Sequence, residues 1–238
     1  MSATSQRTLQ KTERSRLTRR NPKGHYDAET IYSVLDSGLI AHIGYVHEGH
    51  PIVTPTAYWR EDNRLYWHGA ASGRFIKSMA DGPVCVTVTH FDGLIFARSG
   101  FHHSALFRTV MAFGHCTLIN EAERKEKALA TFLNRLLPGR AAVVRPNTKQ
   151  ELKATTLVEF AIDEASAKIR DGGVQDAKED YDFPVWAGLL KTKLVVEDVV
   201  EDERLCDGTE RPAPLADLAL GTALEDYVRS NIQLLDQE

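Results

Sequence analysis

Residues 83–90 read PVCVTVTH, and their side chains alternate strictly. Val84, Val86 and Val88 fall on one face of an extended chain, and Cys85, Thr87 and Thr89 fall on the other. A period-two run of this kind is a half-buried strand, and it is one of a series. Residues 39–47, 51–60, 64–68, 93–98 and 106–119 are also apolar or alternating runs, separated by turn pairs such as Glu48-Gly49, Asp62-Asn63 and Asp92-Gly93. A chain that reverses this often, with few helices between, is predicted to close into a mainly β barrel with peripheral helices. The βαβ rhythm of a Rossmann domain and its G-x-G-x-x-G turn are absent from the sequence.

The remaining elements read as follows. A first helix is expected over 28–37, capped by Asp27 and ended by Gly38. A short helix follows Ser72-Gly73-Arg74 and stops near Asp81-Gly82. Asn120 and Glu123 have capping-box spacing for a further helix. In it Leu129, Phe132, Leu133, Leu136 and Leu137 form a stripe read as core, with Pro138-Gly139 as the stop. Two strands are expected over 155–162 and 166–170, a last one over 194–200, and a tail helix over 215–235. This divides the chain into a basic arm (1–24), a barrel domain (25–200) and an acidic linker with a C-terminal helix (201–238).

Composition narrows the function classes. The chain has 238 residues and a net charge of −4. It contains no apolar run long enough for a membrane span and no apolar region in its N-terminal segment, so neither a membrane nor a secretory route is expected. Cys85, Cys116 and Cys206 are odd in number and far apart, which suits a reducing cytoplasm and neither a disulfide framework nor a zinc cluster. Seven Lys and Arg against Glu13 alone lie within the first 23 residues. Without interleaved aromatics or a recognition helix this is read as a solvated arm packing on the acidic tail, not as a nucleic-acid contact.

Three stretches carry chemistry. Ser99-Gly100-Phe101-His102-His103-Ser104 joins two strands, and a hairpin turn needs no imidazoles. Adjacent histidines in an extended chain point to opposite faces, and the other histidines lack paired ligand spacing, so no dedicated metal site is expected. His68-Gly69-Ala70-Ala71-Ser72-Gly73-Arg74 runs from a strand end through small residues into a helix start. Free backbone N–H groups, the Ser72 hydroxyl and the Arg74 guanidinium suit a phosphate; the same residues equally suit an ordinary strand-to-helix turn. Trp186, flanked by Pro184 and Gly188, is either a hydrophobic plug or a flat wall for a planar ring.

Several blocks in order, HPIVTPTAYW, LYWHGAASGR, DGLIFARSGFHHSALFRTVMAFG and SAKIRDGGVQDAKEDYDFPVWAG, resemble the pyridoxamine 5′-phosphate oxidase-like, FMN-binding split-barrel family. They look closest to its flavin-nucleotide-binding branch, related to nitroimidazole-resistance reductases. The resemblance implies a six-stranded antiparallel split barrel that forms a homodimer with FMN between subunits. FAD or haem is the less expected cofactor. The phosphate would lie near His68, Gly69, Ser72 and Arg74. Val53, Thr54, Pro55 and Thr56 would line the isoalloxazine with backbone groups. Arg98, Ser99, His103 and Ser104 would reach the cofactor, and Arg108, Thr109 and Trp186 would face the partner's flavin. Phe107-Arg108-Thr109 replaces the family's usual Tyr-Arg-Ser, and its usual proline near Lys191 is missing.

The implied activity is an oxidoreductase with an unknown small-molecule substrate or a reduced nicotinamide as partner. His68 and His103 are the catalytic candidates. The tail, ending NIQLLDQE, lacks the arginine-rich motif of true pyridoxamine phosphate oxidases, so oxidation of that vitamer is not expected. A non-catalytic flavin-binding or sensing protein, or a haem-binding split barrel with His103 as axial ligand, are the alternatives.

Overall fold

The computed structural model describes residues 9, 11–18, 23–71, 73–79 and 82–235. The alternating runs become one antiparallel sheet that curls around an apolar interior. Six strands are long: β2 (Ile40–His47), β3 (His50–Ala57), β5 (Arg64–Ala70), β6 (Val84–Phe96), β7 (Ser104–Ile119) and β8 (Thr155–Arg170). Three are short: β1 (Gly24–His25), β4 (Trp59–Glu61) and β9 (Gly188–Lys191). The order is β3-β2-β6-β7-β8-β5-β4, with β1 paired to β8 and β9 paired to β6. The fold is thus the expected mainly β split barrel, with β3 approaching β5 across the open seam.

The interior is built by the inward half of each alternation. Ile43, Val86, Val88, Val110, Trp67 and Phe160 are all buried there. Helix α1 (Ala28–Asp36) lies against β6, β7 and β8 and adds Ile31, Val34 and Leu35 to that core. Asp27 caps it as expected, accepting from the Thr30 N–H at 2.8 Å. Tyr58 is buried where the run 51–60 breaks into β3 and β4, and its hydroxyl donates to the Leu35 carbonyl. Burial pushes the Tyr58 pKa well above the usual phenol range, so it stays a donor.

The structure differs from the sequence reading at several points. Asp92-Gly93 is a β-bulge inside one continuous strand, not a turn between two. Gly93 has φ 145°, and a Cβ there would stand 2.2 Å from the Leu190 carbonyl oxygen of β9. Strand β8 likewise runs unbroken through Asp163-Glu164-Ala165, with a bulge opposite Phe113 and Gly114. The helix after β7, α3 (Ala122–Leu136), starts at an N-cap Glu121 without a side-chain cap, so Asn120 and Glu123 form no capping box. Such a box closes instead at Thr148 and Glu151, before α5 (Lys149–Ala154), which follows the single turn α4 (Arg140–Val143). Of the leucine stripe only Leu137 is buried; Leu129, Phe132 and Leu133 are half-covered and Leu136 is exposed.

The described residues of both terminal segments pack on the barrel. Within one copy, residues 11–18 lie on the barrel and not on that copy's own acidic tail. Arg14 pairs with buried Glu164 of β8 and lies over the Phe113 ring, and the Leu17 N–H donates to the Tyr26 hydroxyl at 2.8 Å. Leu9 is buried in the core. The expected strand over 194–200 is absent; Val195 makes one isolated bridge with Ala223, and β9 precedes it. The tail forms α6 (Ala213–Ala216) and α7 (Leu224–Leu235) in place of one helix. Asn231 Nδ2 and the Tyr227 hydroxyl both donate to the Leu136 carbonyl, at 3.0 and 2.7 Å, so α7 closes the C-terminal end of α3. No helix among the described residues is long and apolar enough to cross a membrane.

Candidate functional site

Directly opposed residues of an antiparallel sheet share a face. The outward rows across β3, β2, β6 and β7 are therefore Val53–Gly44–Cys85–Phe113 and Pro55–His42–Thr87–Met111. This face is apolar and open: Val53 is 64% exposed, and Ile40, Val46, Phe91 and Met111 are exposed around it. Gly44 leaves a trough in it, where a Cβ would meet Cys85 Sγ at 2.8 Å. Strand β3 pairs only with β2, so one edge of the Val53–Thr56 backbone carries no strand neighbour. Thr54 and Thr56 point to the other face, Thr54 within 3.3 Å of the Tyr45 hydroxyl. A flat ring with hydrogen-bonding edges fits a trough and an open strand edge of this kind.

His68 lies on β5 opposite Leu157, at the start of β8. Its ring meets Phe132 edge-on at 5.4 Å, and its Nδ1 is buried without a partner among the described residues. Burial lowers its pKa, so the imidazole is held neutral. Gly69 lets α2 (Arg74–Met79) approach, since a Cβ there would stand 3.1 Å from Ile76. The Gly73 N–H closes the turn onto the Ala70 carbonyl at 2.8 Å. Ser72 lies outside the described residues, as does the side chain of Arg74.

The Ser99–Ser104 connection is one turn of 3-10 helix, Gly100–His102, between β6 and β7. His102 Nδ1 meets the Ser99 hydroxyl at 2.8 Å, and His103 Nδ1 meets the Ser99 carbonyl at 2.9 Å. A carbonyl only accepts, so His103 carries its proton on Nδ1 and leaves Nε2 as a base. Phe96 touches both His103 and Trp186, at 6.0 and 5.8 Å between ring centres. Trp186 is 70% exposed and leans over Gly188, where a Cβ would meet it at 2.7 Å. Arg98 is held by Asp176, through its N–H and its Nη1, each at 3.0 Å. Burial would raise the Asp176 pKa, but these bonds from Arg98 bring it below the usual range. His102, Asp176 and Asp180 come close enough to hold an ion, yet both Asp176 oxygens already accept from Arg98, which makes this a salt-bridged corner.

Arg108 of β7 is turned to Asp92 and to α7. Asp92 takes it in a fork at 2.8 and 3.0 Å, and Glu225 of α7 takes its third nitrogen at 2.9 Å. These two carboxylates raise its pKa further. Thr109 donates to the Val88 carbonyl at 2.9 Å. Arg108, His90 and the residues of the C-terminal segment enclose a cavity of about 960 Å³.

The family model described as pyridoxamine 5′-phosphate oxidase matches residues 27–169. The chain belongs to this family. Among solved members of similar shape is the flavocytochrome Anf3 from Azotobacter vinelandii, 37% identical, with a TM-score of 0.84 over 88% of this chain and 98% of that one. A protein described as the FAD and heme binding protein from Mycobacterium smegmatis is 29% identical, with a TM-score of 0.79 over 85% of this chain and 98% of that one. A protein described as a 5-nitroimidazole antibiotic resistance protein from Bacteroides thetaiotaomicron is 20% identical, with a TM-score of 0.50 over 61% of this chain and 86% of that one, and shares the fold. No curated protein matches.

In this member of the pyridoxamine 5′-phosphate oxidase family the sequence-predicted residues fall into separate groups. Val53 and Pro55 lie on the open outer face of the edge strand β3, with Thr54 and Thr56 on its inner side. His68 and Gly69 stand at the beginning of β8, while Ser99, His103 and Ser104 stand near its end. Those ends are thirteen residues apart, about 40 Å of extended strand. One copy of the chain does not bring the two corners together. Sequence reasoning missed Asp176, Glu225 and Arg170, which become recognisable only through their contacts and burial.

Proposed function

We propose that this family member is a flavin-binding redox protein whose flavin lies against the open β3 face, between two copies of the chain. The observation that carries this is the Gly44 trough, bounded by exposed Val53 and by the unpaired edge of β3. An apolar sheet face this open calls for cover, and a second copy supplies it while contributing its own His68 or His103 corner. The two relatives with 37% and 29% identity, described as a flavocytochrome and as an FAD and heme binding protein, support a flavin. FMN matches the family resemblance and FAD matches the second of those relatives.

A bound flavin supplies hydride and single-electron transfer. The chain's own part is to bind and orient. Backbone groups of Val53–Thr56 meet the polar edge of the ring, Gly44 lets its plane approach, and neutral His68 offers hydrogen bonds without adding charge. The reaction is an oxidoreduction of a small molecule, with a reduced nicotinamide as one candidate donor. Cys85, Cys116 and Cys206 are unpaired, in keeping with a reducing cytoplasm.

Haem is a second reading, favoured by His103. Its Nδ1 is fixed on the Ser99 carbonyl, the arrangement that orients an imidazole for a metal through Nε2, and Phe96 and Trp186 stand beside it. An absorption spectrum of the purified protein, with mass spectrometry of the ligand released by heat, tests both readings. Flavin bands and an FMN or FAD mass support the first; a Soret band lost in His103→Ala supports the second. A colourless protein that takes up neither cofactor overturns both. Turnover with a reduced nicotinamide then separates an enzyme from a non-catalytic flavin carrier.

A further inference from the structure

Strand β8 ends on Arg170, which is only 8% exposed. Among the described residues no carboxylate pairs with it, and its Nε is buried without an acceptor. Among the described residues the other two buried charged side chains, Glu164 and Lys125, have partners. Glu164 has Arg14, and Lys125 donates to the carbonyls of Leu152 and Thr155 at 3.0 and 2.8 Å. A buried, permanently charged guanidinium without a counter-charge is among the least favourable arrangements a fold can hold, unless a ligand completes it.

The surroundings indicate which ligand. Arg170 lines a cavity of about 490 Å³ together with Lys23, Phe101, His102, His103, Ser104 and Gln175. Two cations line it and no carboxylate does. The Phe101 ring is 82% exposed at its rim, an apolar surface without cover. Ser104 and Gln175 add neutral hydrogen-bonding groups. The cavity also lies at the far end of β8 from His68, so it is not the phosphate corner that the family resemblance implies for the flavin.

We propose that Arg170 receives the phosphate of a nucleotide whose base lies on Phe101. The forked guanidinium suits phosphate oxygens, and an exposed aromatic ring suits a base. The inference rests on Arg170 and Phe101 and not on the β3 face; its cavity shares His103 and Ser104 with the cofactor corner, and Arg170 also borders the larger cavity at Arg108. The nucleotide is either a separate molecule or the adenylate half of bound FAD.

The test is calorimetric titration of the full-length protein, as purified, with AMP and with inorganic phosphate as competitor. AMP should bind, phosphate should displace it, and Arg170→Gln should weaken it at least about tenfold, with Arg170→Lys in between. The ligand-free Arg170→Met protein should melt no lower than wild type, because it loses an uncompensated buried charge. AMP binding absent from flavin-free and FMN-loaded protein alike, or equal binding by Arg170→Gln, overturns the proposal. So does a ligand-free Arg170→Met protein that melts well below wild type, which would make Arg170 a structural residue. AMP binding to FMN-loaded but not to FAD-loaded protein identifies the flavin's own adenylate; binding to both identifies a separate nucleotide. Since the titration runs whether or not the protein is yellow, a failed flavin assignment leaves its result readable.

Discussion

Removing Arg14 should lower stability by about 1–2 kcal/mol, although it lies in a segment that composition alone would call a loose basic arm. Glu164 projects from the outer face of β8 and its side chain is only 6% exposed. Its Oε1 accepts from Arg14 Nε at 2.7 Å, and its other oxygen accepts from the Thr12 hydroxyl. A hydrogen bond to a charged group is worth about 1.5–3 kcal/mol. The Arg14 side chain is 54% exposed, so solvent screens part of this and about 1–2 kcal/mol remains. In a chain of this size each kcal/mol moves Tm by about 2–4 °C, so Arg14→Ala should melt about 2–8 °C lower. Burial alone would raise the Glu164 pKa, but the bonds from Thr12, Arg14 and Ser15 hold it below the usual carboxylate range. A depressed carboxylate pKa contributes stability above the unfolded value of about 4.3, and that stability is lost as pH falls through the folded value. The melting gap between wild type and Arg14→Ala should therefore hold from neutral pH down to about 5 and close on further acidification. Thermal melts of both proteins across that pH range give the answer. Equal melting at neutral pH, or a gap that widens in acid, would refute the reasoning.

Three further outcomes are expected. Val53→Asp puts a charge on the open sheet face, and light scattering should find the wild type dimeric and the variant monomeric; equal masses would remove this face from the interface. His68, its pKa lowered by burial from 6.5, should titrate by NMR below that value; its contribution to stability is complete above the unfolded value and drains away as pH falls through the folded one. Burial pushes the Cys116 thiol up to about 12, so at neutral pH an alkylating reagent should modify exposed Cys206 long before Cys116, as read by mass spectrometry over time.

The barrel was legible in the sequence wherever the alternation was unbroken. Val84, Val86 and Val88 are buried as the pattern requires, and Asp27 caps α1. The errors share a cause: a local signal served a distant partner. Asp92-Gly93 has the chemistry of a turn, but its glycine is spent on the approach of β9 about a hundred residues later. Asp163-Glu164 reads as a break because a lone strand would not bury a glutamate; the residues that make it tolerable are Thr12 and Arg14. At the candidate site, Val53–Thr56 came from family resemblance, the Ser99–Ser104 turn was flagged by its imidazoles, and periodicity contributed nothing. The buried solitude of Arg170 has no sequence signature, since an arginine after an apolar strand is ordinary until its surroundings are known.

The missing side chain at residue 93 also constrains how this chain can diverge. Strand β9 passes so near the Gly93 backbone that even a methyl group would collide with the Leu190 carbonyl. Any descendant that replaces this glycine must surrender the β6–β9 pairing, and with it the local tether that sets Trp186 over Gly188 beside Phe96. Conversely, a relative without the C-terminal segment is under no such restriction. Position 93 and the segment after residue 187 should thus be inherited or lost as one unit, and the identity of a single residue in the barrel should forecast whether a homologue carries the extension.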